Sequence, residues 1–397
     1  MRRSFYFCFL LGLVTSCASP TGTPSSGSGA AASTTVADHS WSKAVDADPA
    51  KIHARLSSAS ADWEASLVID NDKTGIWTVK PFSFFPQYAT QELFGLDDLG
   101  RCWVLVSYSG KWTPFPILRD GVWLGALAQG EADPRVAGPE VYTGGAAGRL
   151  YQLRAYHDGG LDARRIAAFP GKELHTVVAG EFDPRNDSPE VLVFTRPGAW
   201  YRVSPTGEHG EWVSEELGPL QARIRDALVL SADESGRSPI ITAARDGAIR
   251  ELRFDAGGPQ WSLIHQVGQG RGRLAAGSDG RVVYSTADDG RVFRHERTAS
   301  GWQTELVYSG SHGPRGLAAG RFHPDPQQEC LALFGYSGRV ELLTRAPGQA
   351  WQTEVLFVDR DKGHWLCAGE FDGRNNTLEI FASGYGGRIV MLSRGAD

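Results

Sequence analysis

Glu329-Cys-Leu-Ala-Leu-Phe-Gly-Tyr-Ser-Gly338-Arg339-Val-Glu-Leu-Leu343 and Glu379-Ile-Phe-Ala-Ser-Gly-Tyr-Gly-Gly387-Arg388-Ile-Val-Met-Leu392 are two copies of one pattern. In each, an apolar run enters a turn that ends on glycine, where a positive φ is needed, and a second apolar run returns; this is a β-hairpin signature. The turn glycine can be followed back through Gly290, Gly247, Gly198, Gly148 and Gly100. The pattern therefore occurs seven times, at spacings of 48, 50, 49, 43, 48 and 49 residues.

Two further markers keep the same step. Trp63, Trp112, Trp212, Trp261, Trp302 and Trp351 open apolar segments, and only the third repeat, around Leu161 to Phe169, lacks its tryptophan. Before each hairpin lies a small-residue segment, seen in Ala179-Gly-Glu-Phe-Asp183, Ala319-Gly-Arg-Phe-His323 and Ala368-Gly-Glu-Phe-Asp372. Four short strands per period, with small residues on the first, predict an all-β, seven-bladed β-propeller of four-stranded blades, because only small side chains fit where blades converge. The last period has no tryptophan strand after Arg388 to Ser393, whereas Trp63 to Trp77 resembles Trp351 to Trp365. An N-terminal strand is thus expected to complete the last blade and close the ring, leaving no unpaired inner edge. Glu92 with Arg101, Glu140 with Arg149, Glu329 with Arg339 and Glu379 with Arg388 recur together at the hairpins and read as cross-strand ion pairs.

The 397-residue chain opens with Arg2 and Arg3, an apolar stretch from Phe5 to Val14, and Thr15-Ser16-Cys17. That is an export signal too short to span a membrane. Val14 to Cys17 resembles the bacterial lipobox, which implies acylation of Cys17 and a membrane contact through the lipid; Ala18, where inner-membrane retention uses Asp, points to the outer membrane. The Ser-, Gly- and Ala-rich run that follows reads as a flexible tether. The expected organisation is a signal over 1–17, a tether over 18–60 and the propeller over 61–397. A net charge of −6 argues against nucleic acid as partner. Cys102, Cys330 and Cys367 lie in apolar runs without CxxC spacing and read as buried free thiols in preference to one disulfide and a spare.

The segment Gly180-Glu-Phe-Asp183-Pro-Arg-Asn-Asp-Ser-Pro-Glu-Val, with its copy from Gly369 to Ile380, resembles the FG-GAP or VCBS repeats of extracellular and integrin-type propellers, in degenerate form. Such repeats often bind Ca²⁺ through alternating acidic residues in this loop. Here Arg185 and Arg374 occupy the middle ligand position, which argues against calcium, so no cofactor and no metal are expected.

HExxH, P-loop and nucleophile-elbow motifs are absent. Asp97-Asp98 and Asp288-Asp289 place paired acids at hairpin tips, where turn chemistry accounts for Asp before Gly. Aligning the repeats on their first strands and reading the position eight residues before the Asp of the Gly-Glu-Phe-Asp segment gives Trp77, Gly125, His175, Arg225, Arg271, Arg315 and His364. This column enters the innermost strand near the channel mouth. It forms a basic arc faced by Trp77 and, beside Gly125, by Trp123, which suits an anionic or sugar-like ligand. The expected function is a non-catalytic cell-envelope binding or scaffold lipoprotein whose loop face takes a protein partner or glycan. The alternative is a lyase or hydrolase acting on an anionic saccharide, with His175 or His364 as base.

Overall fold

The computed structural model describes residues 55–395, apart from short loop stretches at 72–73, 89, 109–110, 158, 187, 197, 207–209, 233–235 and 311–313. The expected signal, Cys17 and most of the expected tether lie outside the described residues. The chain forms seven antiparallel sheets, each a meander running from an innermost to an outer strand. Blade 1 comprises Ile76–Phe82, Glu92–Asp97, Arg101–Tyr108 and Lys111–Arg119, and blades 2 to 6 repeat the plan. Each innermost strand lies against the next, and that of blade 7, Gly363–Gly369, lies against that of blade 1, so the ring is complete. This is a seven-bladed β-propeller.

Closure follows the expected route. Trp63–Asp70 pairs antiparallel with Arg388–Arg394, from Trp63 opposite Arg394 to Asp70 opposite Arg388, and so supplies the fourth strand of blade 7. Of the expected tether, Arg55–Leu56 adds a short fifth strand, and Ser58 and Ala59 bond the Leu356 carbonyl of blade 6. The recurring tryptophan reaches back from its outer strand into the layer shared with the preceding blade: Trp63 packs with blade 6, Trp112 with blade 7, and Trp261 against Trp200 of blade 3. The core is a set of such layers between neighbouring sheets rather than one central mass, with Val141, Leu192, Ile241 and Leu331 fully buried on second strands. Cys102, Cys330 and Cys367 are buried free thiols.

The expected Glu–Arg pairs do not form. The acid opens the second strand and the arginine opens the third, so the hairpin holds them at opposite ends; the register places Glu329 opposite Arg345, not Arg339. Glu92, Glu140, Glu190 and Glu379 instead turn inward and accept backbone N–H bonds from the preceding loop, as from Phe84 at 2.8 Å, Ala132 at 3.0 Å, Asp183 at 2.8 Å and Phe371 at 2.7 Å. Burial pushes Glu140, Glu190 and Glu379 up to about 7. The arginines find other acids: Arg101 pairs with Asp97 at 2.6 Å, Arg149 with Asp120, and Arg388 with Asp359.

All seven hairpin glycines have positive φ, from 28° at Gly198 to 92° at Gly290. At Gly290 a Cβ would also run into the Gly310 carbonyl oxygen, whereas at Gly348, φ 75°, it would meet nothing. Gly290→Ala is expected to lower unfolding free energy by roughly 3 kcal/mol and Gly348→Ala by only about 1–2 kcal/mol. Equal losses in urea denaturation would contradict the close approach.

Candidate functional site at the channel mouth

Each innermost strand carries a β-bulge at its second or third residue. Two residues there oppose one on the partner strand, and the bulge re-aims a side chain. The pairing slips between Ile76 and Thr78, Leu124 and Ala126, Leu174 and Thr176, Ile224 and Asp226, Pro314 and Gly316, and Gly363 and Trp365. The slipped residues are Trp77, Gly125, His175, Arg225, Arg315 and His364, six of the seven positions in the sequence column. All six line one cavity of about 580 Å³ where the innermost strands converge, and so does Trp123.

Arg271 is the exception. In blade 5 two residues, Gly272 and Arg273, stand between paired Arg271 and Leu274. Arg271 therefore takes the inward place of Ile224 and Leu174, and it is fully buried between blades 4 and 5. Its guanidinium is satisfied there by the Gly247 carbonyl at 3.1 Å, Ser285 Oγ at 3.3 Å and His265 Nδ1 at 2.6 Å, over the Phe293 ring. Arg273 enters the cavity in its stead. Counting back from Asp279 overshoots by one, because Gly277-Ser-Asp279 is one residue shorter than Gly320-Arg-Phe-His323. Matching Leu274-Ala-Ala-Gly277 to Leu317-Ala-Ala-Gly320 reveals it, because Arg271 then aligns with Pro314.

The cavity has an aromatic side and a basic side. On the first, Trp77 meets His364, Tyr385 and Trp123 edge-on at 4.7, 5.8 and 5.9 Å between ring centroids, and donates its indole N–H to Asp98. Trp123 fills the place of the missing side chain at Gly125: its ring occupies the space a Cβ there would need. On the second stand Arg196, Arg223, Arg225, Arg273 and Arg315, with half-buried Lys80 deeper along the blade 1 strand. Arg196, Arg223, Arg273 and Lys80 lie off the sequence column. Lys80 and Arg273 sit farther along the innermost strands, while Arg196 ends the second strand of blade 3, Glu190–Arg196, and Arg223 lies in the loop before the innermost strand of blade 4.

Three of these six cations are ion-paired. Arg225 and Arg315 share Asp288, at 2.7 and 3.4 Å, and Arg196 lies 3.7 Å from Glu173. Asp226 is occupied by the backbone N–H groups of Leu274 and Ala227, at 2.9 and 3.0 Å. Arg273 bonds the Arg225 carbonyl at 3.0 Å and stacks on Trp365 at 3.9 Å, and the Nε of Arg223 is buried without a partner among the described residues. Burial, then the charges of Arg225, Arg196 and Arg245, hold Arg223 below its usual range; burial foremost brings Arg273 down to about 10. His175 falls to about 3 through burial and then Arg223, Arg273 and Arg225, and His364 is lowered well below its ordinary value through burial and then Arg273 and Arg315. Both imidazoles are neutral at physiological pH.

The loop read as a degenerate calcium site carries its own cation. Arg185 lies 2.6 Å from Asp183, and Arg202 is 2.8 Å from the same carboxylate. In the second copy, carboxylate oxygens of Glu370, Asp372 and Glu379 come within 4.8 Å of one another, with Arg374 at 3.7 Å from Asp372. Of the hairpin-tip acids, Asp97 is fully buried and bonds Trp103 and Arg101, and Asp289 pairs with Arg291 at 2.6 Å.

No family model matches the chain, and no curated protein matches it. Among solved structures it is similar to BBS1N in a crystal complex with ARL6DN, soaked with mercury, at 13% identity and a TM-score of 0.57 over 82% of this chain and 94% of that one. It is also similar to the WD40 β-propeller domain of Doa1, at 12% identity and a TM-score of 0.53 over 81% of this chain and 94% of that one. These likenesses carry the propeller fold alone.

Because the folded-state value of His175 lies below the unfolded 6.5, the unfolded chain takes up the proton first. Its stabilising contribution is complete above about pH 6.5 and is lost as pH falls toward about 3. Relative to wild type, His175→Gln is expected to recover about 1–2 kcal/mol of the stability lost between pH 7 and pH 5. Parallel stability curves for the two proteins would show that His175 titrates normally.

Proposed function

We propose that this protein is a non-catalytic binding propeller of the bacterial cell envelope, held by a lipid on Cys17, that captures an anionic group at its channel mouth. The observation that carries the reading is the concentration of Arg223, Arg225, Arg273 and Arg315 around one cavity whose opposite side is Trp77, Trp123 and Tyr385. Guanidinium forks grip oxyanions and indole faces take the ring or apolar part of the same ligand. An acidic glycan and an acidic segment of a partner protein both present that chemistry. The solved propeller of BBS1N is in complex with a protein, ARL6DN, which favours a scaffold role for a disc of this build. The degenerate FG-GAP or VCBS resemblance and the export-signal pattern of the first 17 residues support a location outside the cytoplasm, and Ala18 favours the outer membrane.

Lyase or hydrolase chemistry is less well supported. A general base works best with a pKa near the operating pH, and His175 at about 3 is far below it.

Replacing Arg223 and Arg273 with Ala is expected to weaken retention on an acidic oligosaccharide or acidic peptide matrix by at least about a hundredfold, since each charge-assisted contact contributes about 1.5–3 kcal/mol. Equal retention of wild type and double variant would remove the site. Retention on only one of the two matrices identifies the class of ligand. Cys17→Ala is expected to release the protein from the membrane fraction or leave an uncleaved precursor; an unchanged membrane fraction and N-terminal mass would refute the anchor.

A further inference from the structure

Six cationic side chains, Lys80, Arg196, Arg223, Arg225, Arg273 and Arg315, line the cavity, while the carboxylates facing them are Asp98, Glu173, Asp226 and Asp288. Every one of those four already has donors: Trp77 and the Gly75 N–H for Asp98, Arg196 for Glu173, two backbone N–H groups for Asp226, and Arg225 with Arg315 for Asp288. With both histidines neutral, the site holds two more positive charges than negative ones. That excess sits in a half-enclosed cleft, where like charges are poorly screened.

Unused hydrogen-bonding capacity lies around the same cavity, on the aromatic side at Nε1 of Trp123 and Nδ1 of His364, and more of it on the basic side. Nε of Arg223, Nε of Arg225 and Nδ1 of His175 are buried and find no partner among the described residues. Buried atoms without a partner also occur elsewhere in the blades, but those at the cavity lie beside an uncompensated charge, a place that another molecule can complete. A carboxylate has one charge and two oxygens in one plane, so a single one leaves half of the excess charge uncompensated. Here arginines come from blade 5 (Arg273), from the blade 4 strand (Arg225) and from the loop before it (Arg223), so they approach from different directions. A tetrahedral group with two charges and three free oxygens answers both the excess charge and the divergent donors.

Resting on the anion-binding reading above, we infer that the channel mouth is a site for a tetrahedral dianion, the phosphoryl group of a phosphomonoester, with Arg223, Arg225 and Arg273 as its principal donors. The cavity of about 580 Å³ leaves room beyond the anion for the sugar or side chain that bears it, on the aromatic side.

Isothermal titration of the full folded chain at pH 7.5 and constant ionic strength, with inorganic phosphate, sulfate and glucuronate as probes, tests this directly. Phosphate and sulfate are expected to bind at one site, and Arg223→Gln and Arg273→Gln each to weaken them about tenfold or more. Arg291→Gln, on an exposed pair with Asp289 outside the cavity, is expected to leave them unchanged. Should one cavity variant fail to fold, the other carries the test. Glucuronate binding that depends on Arg223 or Arg273, with no binding of phosphate or sulfate, overturns the dianion assignment and leaves the anion site standing. Absence of binding by all three probes, or binding indifferent to the cavity variants, overturns both.

Discussion

Everything at the channel mouth depends on the antiparallel pairing of Trp63–Asp70 with Arg388–Arg394. A propeller's blades are held by side-chain layers between sheets, and a ring left open at one blade would expose the inner face of its neighbour and a free strand edge. Here the outer strand of the last blade comes from the front of the chain. Trp63 packs into the layer between blades 6 and 7, and Val68 and Ile69 into the layer between blades 7 and 1. The consequence at the axis is direct: His364 of blade 7 and Trp77 of blade 1, far apart in sequence, stand with ring centroids 4.7 Å apart.

The site is made by a repeated local irregularity rather than by a catalytic motif. A bulge near the start of each innermost strand releases one residue per blade from the pleat, and blades supply aromatic, neutral imidazole or guanidinium groups at that place. Polar groups elsewhere at the hairpins are consumed by the scaffold. The buried glutamates hold the loop between the first two strands by accepting its N–H groups, and Asp97 and Asp120 hold the arginines that follow the turns. The cationic surplus at the mouth stands out against that background of engaged acids and arginines.

Much of this was legible in the chain. Seven turn glycines, the tryptophan step and the small innermost residues defined blade number and closure, because both follow from periodicity and steric limits. The column of bulge residues was readable in six blades because their innermost strands keep one register. In blade 5 the segment after the innermost strand is one residue shorter, so the same count falls on Arg271, which faces the core, instead of the channel residues that follow it; side-chain direction in a strand reverses with each one-residue shift. Arg196, Arg223 and Lys80 lay off the column and were missed, since proximity across blades leaves no mark on spacing. The Glu–Arg pairing failed for a simpler reason: residues that open consecutive antiparallel strands are at opposite ends of the hairpin.

Ring closure and site are therefore one claim, and removing residues 55–70 tests it most directly. The account predicts that thermal melting of the shortened chain, followed by circular dichroism with and without phosphate, shows a transition well below that of the full chain, with no stabilisation by the anion. A shortened chain that melts at the full-length temperature and is stabilised equally by phosphate would contradict it.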